Sequence, residues 1–171
     1  MLTLIRHTSP GIAKGICYGQ SDIDISRNYP QELQIIKNKI IATDQTVYSS
    51  PLKRCTKLAS DLFTYFNTDH RLMELDFGDW ELKRWDDIND EFSRKWFADY
   101  INTATPNGES CLQMYDRVKE FYEQKILPDN DNITIVTHAG VMRILLSIIN
   151  NISLPEIFDI KIDYGGIIII Q

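Results

Sequence analysis

The sequence predicts an α/β fold, a three-layer α/β/α arrangement with helices on both faces of a mostly parallel central sheet. Two observations lead to this class. Short apolar runs alternate along the chain with segments of helical periodicity, and the runs at residues 2–5 and 133–137 are followed at once by loop or helix residues. Strands that are covered on both faces have such apolar runs, because helices flank a parallel sheet on each side.

The composition is that of an ordinary globular protein, with 43% hydrophobic and 25% charged residues. A length of 171 residues favours a single domain over residues 1–171, with an insert at about 76–108. The net charge of -6 speaks against a nucleic-acid binder. No apolar run approaches membrane-spanning length, and we expect the opening residues MLTLIRHT to form a strand rather than a signal peptide.

The three cysteines Cys17, Cys55 and Cys111 are odd in number, far apart in the sequence and without any C-x-x-C pair. This usage is typical of reduced thiols and not of a disulfide framework or a zinc site. We therefore expect a cytoplasmic protein without a zinc site. We also predict that the protein uses no metal or other cofactor. The sequence leaves open whether it forms a homodimer.

The first half of the chain contains two predicted strand–helix units. The strand at residues 2–5 leads through a polar loop to a helix at about 30–42. A short strand at residues 46–50 leads into the next helix. Ser50 is the expected N-cap of that helix, and Pro51 is its expected first residue.

The second half adds an aromatic insert and further strand–helix alternation. Residues 71–75, RLMEL, are a candidate edge strand. The insert holds all three tryptophans, and four of its apolar residues fall at helical spacing: Trp85, Ile88, Phe92 and Trp96. This spacing favours core packing, while Trp80 and Trp85 remain candidates for stacking on a substrate ring. A helix after Gly108 and Glu109, the strand NITIVTH, the helix AGVMRILLSIIN and the strand GGIIII complete the chain.

Two of the three histidines stand where buried strands end. His7 follows Arg6 at the end of the first strand, and His138 ends the strand NITIVTH. Strand alternation would direct Arg6 and His7 to opposite faces. They can share a site if the chain turns there, as Thr8 and the residues after it indicate. Ligands of open α/β sheets bind at the carboxyl ends of the strands, so these residues are candidates for a binding site.

Arg54 and the start of the helix after His138 extend this site. Arg54 lies one turn into a helix that follows another strand end, and with Arg6 it would present two guanidinium groups to one pocket. The free N–H groups at the start of a helix also favour an anion. The combination predicts a pocket for a small dianion such as phosphate.

A carboxylate near this pocket would allow catalysis. A carboxylic acid can protonate a departing alkoxide and then act as a base toward water. Glu74 is our candidate because it lies closest to a strand end, and Asp76, Asp79 and Glu81 compete for the role.

The segments LIRHT, SSPLKRC, LMELDFGDWE, PNGES and VTHAGVMR occur in this order over nearly the whole chain. Together they resemble the histidine phosphatase superfamily, whose fold is phosphoglycerate-mutase-like. RHTSP followed by GICYGQSDIDI is similar to the α-ribazole-5'-phosphate phosphatases of cobalamin biosynthesis. Thr8 stands where the superfamily usually has glycine. The T-x-x-N continuation of the mutases is missing, which argues against mutase activity.

The resemblance implies a metal-independent phosphomonoesterase that forms a phosphohistidine on His7. It implies Glu74 as the proton donor. The implied phosphate and substrate contacts are Arg6, Thr8, Gln20, Arg54, His138 and Ala139. The expected partner is a small phosphomonoester, with no nucleic acid or membrane. The alternatives are a sugar phosphate or a protein phosphohistidine as substrate, and a phosphate-binding module without turnover.

Two other phosphatase signatures are present, and we interpret both as coincidental. Cys111 to Arg117 matches C-x5-R, but the residues between them are bulky and have helical spacing, whereas a phosphate loop needs inward backbone N–H groups. Residues 22–26, DIDIS, match D-x-D-x-[ST], but no buried strand precedes them.

We therefore predict that Cys111→Ser and Asp22→Asn each retain most of the wild-type phosphatase activity, and that a chelator has no effect. The measurement is phosphate release from an aryl phosphate. Loss of activity on any of the three treatments would restore the cysteine-phosphatase or the magnesium-dependent interpretation.

Overall fold

The computed structural model describes residues 1–40, 45–128 and 132–171, and a five-stranded sheet forms its centre. The strands are β1 (Leu2–Arg6), β2 (Thr46–Ser49), β3 (Asn67–Thr68), β4 (Ile133–Thr137) and β5 (Ile167–Ile170). Their order across the sheet is β3-β2-β4-β1-β5. All neighbours are parallel except β5, which runs antiparallel to β1. The predicted mostly parallel sheet is confirmed.

Helices cover both faces of this sheet. They are α1 (Tyr29–Lys37), α2 (Lys53–Leu62), α3 (Glu91–Ala98), α4 (Cys111–Phe121) and α5 (Ala139–Asn150). Ile5 and Val136 pack with residues of α1 and α2, while Leu4 and Ile135 pack with residues of α4 and α5. Successive side chains of a strand point to opposite faces, so each buried strand supplies both apolar layers. The predicted three-layer arrangement follows from this packing.

The register of the sheet aligns the ends of three strands. Arg6 of β1 pairs with Thr137 of β4, and Ser49 of β2 pairs with Val136 of β4. The residues that follow each strand therefore emerge side by side at one edge of the sheet.

Two predicted helix boundaries in the first half of the chain are wrong. Helix α1 ends at Lys37, before Asn38, a residue type with low helix propensity; the last two residues of the predicted helix, 41–42, lie outside the described residues. Helix α2 begins at Lys53 with Leu52 as its N-cap. Ser50 does not cap it: its hydroxyl accepts from the N–H of Leu52, which precedes the helix, at 3.4 Å and lies 2.8 Å from the His138 ring.

The predicted edge strand at residues 71–75 is also wrong. A single helical turn, His70–Leu72, occupies its first half, and the Asp69 side chain caps that turn by accepting from the Arg71 N–H. The two-residue strand β3 pairs with β2 instead. The helix predicted to end near Pro128 is α4, which passes at Phe121 into a wider helical turn at Tyr122–Ile126.

The insert is built from turns around an aromatic cluster rather than from one long helix. Trp85 lies in a short turn, Trp85–Asp87, and Trp96 lies in the separate helix α3. Phe92 is 61% exposed, so the predicted apolar stripe does not form a continuous buried face. Trp80, 2% exposed, packs with Cys17 and Ile88 at the centre of the cluster. The aromatic residues of the insert thus form a small core of their own.

None of the helices in the three described ranges is long and apolar enough to cross a membrane. The three cysteines are buried and form no disulfide.

Candidate active site

The aligned strand ends bring His7, Ser50 and His138 together. The N–H of His7 donates to the carbonyl of Thr137 at 2.9 Å, which continues the pairing of β1 with β4 by one residue. The N–H of Ser50 donates to the carbonyl of Val136 at 3.0 Å in the same way. The ring centroids of His7 and His138 lie 5.0 Å apart. The structure thus places the two predicted histidines next to each other.

The environment of His7 defines its protonation state. Its Nδ1 lies 2.7 Å from the Thr8 carbonyl oxygen, which can only accept. Nδ1 therefore carries the proton of the neutral ring, and Nε2 keeps a lone pair. Burial lowers the pKa of His7 to about 3, and the charges of Arg54 and Arg6 add to this effect. His7 is consequently neutral and nucleophilic at pH 7.

His138 is fully buried at the N-terminal end of α5. Its Nε2 lies 2.8 Å from the Ser50 hydroxyl and 3.5 Å from the Cys55 sulfur. Burial, followed by the positive charges around it, holds its pKa well below the ordinary value. The sequence analysis missed Ser50 as a site residue, although its position directly after a strand was the signal that identified the two histidines.

Two arginines add positive charge to the site. Arg54 is completely buried and donates to the carbonyls of Gly19 and Ser21 at 2.6 and 2.9 Å. Arg6 donates to the Ile162 carbonyl, and its guanidinium carbon lies 3.9 Å from the centre of the Tyr164 ring. Within the described part of the chain, neither arginine forms a salt bridge.

Several buried donors of this site have no partner in the protein. Among the described residues, the buried side-chain nitrogen and oxygen atoms without a hydrogen bond are Arg6 Nε, Thr8 Oγ1, Arg54 Nε and Trp96 Nε1. The first three belong to residues predicted to bind phosphate. Unpaired buried charge and unpaired buried donors are costly unless a ligand satisfies them. The site is therefore suited to an anion.

Glu74 reaches the same site from the segment that precedes the insert. Its carboxylate accepts from the Gly140 N–H at 3.2 Å and from the Leu75 N–H at 3.1 Å. A Cβ atom on Gly140 would lie only 2.2 Å from Glu74 Oε1, so any larger residue at that position would displace the Glu74 carboxylate. The side chain of Gln20 donates to the Glu74 carbonyl at 3.1 Å.

The three competing carboxylates are engaged elsewhere. Glu81 accepts from the N–H groups of Gln20 and Ser21. Asp76 accepts from the Gly78 N–H at 2.8 Å, and Asp79 accepts from the Asn107 side chain at 2.9 Å. None of the three lines the cavity that contains His7.

That cavity has a volume of about 200 Å³. Arg6, His7 and Glu74 are among the residues that line it. Its other lining residues are largely apolar and include Phe77, Trp96, Tyr100 and Phe158. The remaining predicted site residues, Thr8, Gln20, Arg54, His138 and Ala139, do not line the cavity.

The sequence analysis did not foresee these cavity residues. Trp96 rather than Trp80 or Trp85 is the tryptophan of the wall. Arg143, one turn along α5 from Gly140, also lines the cavity, and its position in the segment VTHAGVMR was the available signal.

The two rival signatures do not form phosphatase sites in this fold. Cys111 to Arg117 lies within α4, and burial raises the pKa of the Cys111 thiol to about 11. Asp22 accepts from the Lys53 N–H at 2.7 Å, at the start of α2. In the parts of the chain that are described, no group of three or more His, Cys, Asp or Glu residues could hold a metal ion.

Residues 2–171 match the model of the histidine phosphatase superfamily, branch 1. The chain belongs to this superfamily. The match covers all the strands and helices described above, and the fold is the phosphoglycerate-mutase-like fold that the sequence predicted. The protein is a histidine phosphatase.

Individual relatives of this histidine phosphatase carry different names. Phosphoserine phosphatase 1 of Hydrogenobacter thermophilus is 24% identical, over 99% of this chain and 85% of that protein. Adenosylcobalamin/α-ribazole phosphatase of Salmonella typhimurium is 28% identical, over 55% of this chain and 48% of that protein. The crystal structure of the α-ribazole phosphatase from Shigella flexneri superimposes with a TM-score of 0.88 at 23% identity, over 97% of this chain and 87% of that one.

The low pKa of His7 predicts a pH dependence of stability. Between pH 6.5 and about 3 the unfolded chain protonates this ring and the folded chain does not. The free energy of unfolding must therefore fall as the pH is lowered through this window, by at most about 1.4 kcal/mol per pH unit for each such histidine. Denaturant unfolding of His7→Gln in phosphate-free buffer should show a shallower slope between pH 5.5 and 4.

The exposed third histidine, His70, offers the matched control. His70→Gln should keep the wild-type slope. An unchanged slope in His7→Gln would contradict a neutral, buried His7.

Proposed function

We propose that this histidine phosphatase hydrolyses a small phosphomonoester through a phosphohistidine on His7, without a metal ion and as a single domain over residues 1–171. The observation that carries the proposal is the bond from His7 Nδ1 to the Thr8 carbonyl, because it leaves Nε2 free to attack. A neutral imidazole beside two arginines is an efficient nucleophile toward a phosphate group.

In the first step the Nε2 lone pair of His7 forms a bond to phosphorus, and the bond from phosphorus to the leaving oxygen breaks. Glu74 in its acid form gives its proton to that oxygen, so an alcohol departs and Glu74 becomes a carboxylate. The cavity supports this role, since Glu74 and His7 line it together.

In the second step the Glu74 carboxylate takes a proton from water, and the oxygen of that water attacks phosphorus. The bond from phosphorus to Nε2 breaks and returns the electron pair to His7. Phosphate leaves, and Glu74 is again an acid, so the cycle consumes only ester and water.

Arg6, Arg54 and His138 would hold the phosphoryl oxygens during both steps. The unpartnered Nε atoms of the two arginines and the Thr8 hydroxyl support this assignment. The start of α5, at Ala139, would add a backbone N–H group. Preorganised donors of this kind stabilise the charge that spreads over the oxygens in the transition state.

We propose α-ribazole 5'-phosphate as the substrate. A heteroaromatic base would be buried against Phe77, Trp96, Tyr100 and Phe158 of the cavity. The unpartnered N–H of Trp96 could donate to an acceptor atom on that base. The partial similarity to an α-ribazole phosphatase supports the same choice.

A second candidate is a phosphomonoester whose alcohol part carries a carboxylate, such as phosphoserine. Arg143 lines the cavity, and within the described residues it forms no salt bridge, so it could bind a carboxylate. The similarity to a phosphoserine phosphatase extends over the whole chain.

The mechanism predicts that the loss of hydrolysis rate in Glu74→Gln depends strongly on the leaving group of the ester. An activated phenolate departs without a proton, whereas a ribose 5'-alkoxide does not. We expect a loss of about 100-fold or more on an alkyl ester and a much smaller loss of first-step rate on an aryl ester. Stopped-flow traces with the aryl ester should show a burst of phenolate and then a slow phase, because the water has lost its base.

His7→Ala is the control and should show neither a burst nor turnover. Equal losses on both esters, with no trapped phosphohistidine, would assign the acid role to Asp76, Asp79 or Glu81. Turnover by a well-folded His7→Ala protein would remove the covalent mechanism.

The substrate proposal predicts the ranking of kcat/KM among esters. Burial of an aromatic group is worth about 1.5–3 kcal/mol. The kcat/KM for α-ribazole 5'-phosphate should therefore be about 10- to 100-fold higher than the kcat/KM for ribose 5-phosphate. Phe158→Ala should reduce this advantage, and Phe92→Ala, which alters an exposed ring outside the cavity, should preserve it.

Equal rates for the two ribose esters would contradict the substrate proposal. Faster hydrolysis of phosphoserine would favour the second candidate. Tight phosphate binding without hydrolysis of any ester would leave the alternative of a binding module.

A further inference from the structure

Arg117 of α4 has an unusually complete set of hydrogen bonds. Its Nε and one terminal nitrogen donate to the Glu109 carboxylate, at 3.0 and 2.5 Å. Its terminal nitrogens also donate to three backbone carbonyls, those of Arg71 at 2.7 Å, Met73 at 2.8 Å and Glu74 at 3.0 Å. A guanidinium has five N–H groups, and five bonds are made.

These bonds satisfy carbonyls of the segment 71–74 that would otherwise pair with a neighbouring strand. The predicted edge strand is absent there, so its carbonyls find no partner strand. Three of them are satisfied by Arg117, and the carbonyl of Leu72 accepts from the Thr137 hydroxyl at 2.7 Å. The position of the Glu74 backbone therefore depends on a side chain from a different element.

Glu109 binds the chain on the C-terminal side of Glu74. Its carboxylate accepts from the Asp76 N–H at 3.0 Å, and its own N–H donates to the Asp76 carbonyl at 3.0 Å. Arg117 thus binds the chain up to Glu74, and Glu109 binds it two residues later. We refer to these two residues as the Arg117–Glu109 clamp.

We propose that the Arg117–Glu109 clamp positions Glu74 for proton transfer, an inference that rests on the role of Glu74 in the proposed function. The Glu74 carboxylate is also bound at its far end, since it accepts from the Leu75 and Gly140 N–H groups. A misplacement of about 1 Å in a reacting group can cost about 100-fold in rate. A shift of the backbone at Glu74 would therefore weaken the acid without removing it.

The test compares two Arg→Lys variants that differ in their contact with Glu74. Arg117 and Arg71 have equally exposed side chains, 19% each, and each forms a salt bridge with a carboxylate of similar exposure. Of these two arginines, Arg117 bonds to the Glu74 carbonyl and Arg71 does not; the Gln20 side chain, which neither substitution changes, donates to the same carbonyl. Lysine keeps the positive charge in either position but cannot reproduce the planar set of N–H donors of the guanidinium group.

We expect Arg117→Lys to lower kcat on an alkyl phosphate about 10- to 100-fold, with a loss of less than about threefold in the first step on an aryl phosphate. Arg71→Lys should change the two rates by the same small factor. Glu109→Gln should shift the ratio of the two rates in the same direction as Arg117→Lys. It provides the test of the proposal if Arg117→Lys does not fold.

Combination with Glu74→Gln separates a positioning role from a structural one. If Arg117 acts through Glu74, the double variant should hydrolyse the alkyl ester no more slowly than Glu74→Gln alone. Additive losses, or the same ratio of rates in Arg117→Lys and Arg71→Lys, would overturn the proposal.

A measurement without turnover tests the clamp independently of the proposed function. Amide hydrogen exchange at Leu75 and Gly140, whose N–H groups donate to Glu74, should accelerate in Arg117→Lys and not in Arg71→Lys. An inactive wild-type protein would refute the proposed function, while unchanged exchange would refute the clamp.

Discussion

The pairing of β1 with β4 is the constraint on which the rest of the site depends. Because Arg6 pairs with Thr137, the next residues, His7 and His138, lie side by side at the carboxyl edge of the sheet, with ring centroids 5.0 Å apart. A slip of one residue would turn every side chain of β1 to the other face. Such a slip would disrupt both apolar layers, because Leu4 packs with residues of α4 and α5 and Ile5 packs with residues of α1 and α2.

Burial at this strand edge also determines the chemistry. It keeps both imidazoles neutral, and the bond from His7 to the Thr8 carbonyl selects the tautomer whose Nε2 keeps a lone pair. The same burial leaves guanidinium nitrogens of Arg6 and Arg54 without partners. A phosphate dianion would bring negative charge and hydrogen-bond acceptors to these buried donors, so the same burial makes the site suited to such an anion.

Arginine has a second use in this fold, as a support for chain segments outside the sheet. Arg54 binds the carbonyls of Gly19 and Ser21, and Arg117 binds three carbonyls of the segment that carries Glu74. A guanidinium suits both purposes because it offers several fixed donors and no acceptor. Loops that lack a strand partner are held in this way at the positions that the site requires.

Local patterns in the sequence were sufficient for the layers of the fold and for Arg6, His7 and His138. Apolar runs identify buried strands, and the residues directly after such strands lie at the edge where ligands bind. The sequence could not identify Ser50 as the partner of His138, the clamp of Glu74 by Arg117, or the ring of Trp96 in the cavity. These depend on contacts between residues far apart in the chain, 88 positions for Ser50 and His138 and 43 for Glu74 and Arg117. Only the packing of helices against the sheet decides which distant side chains meet, and a short-range pattern contains no record of that packing.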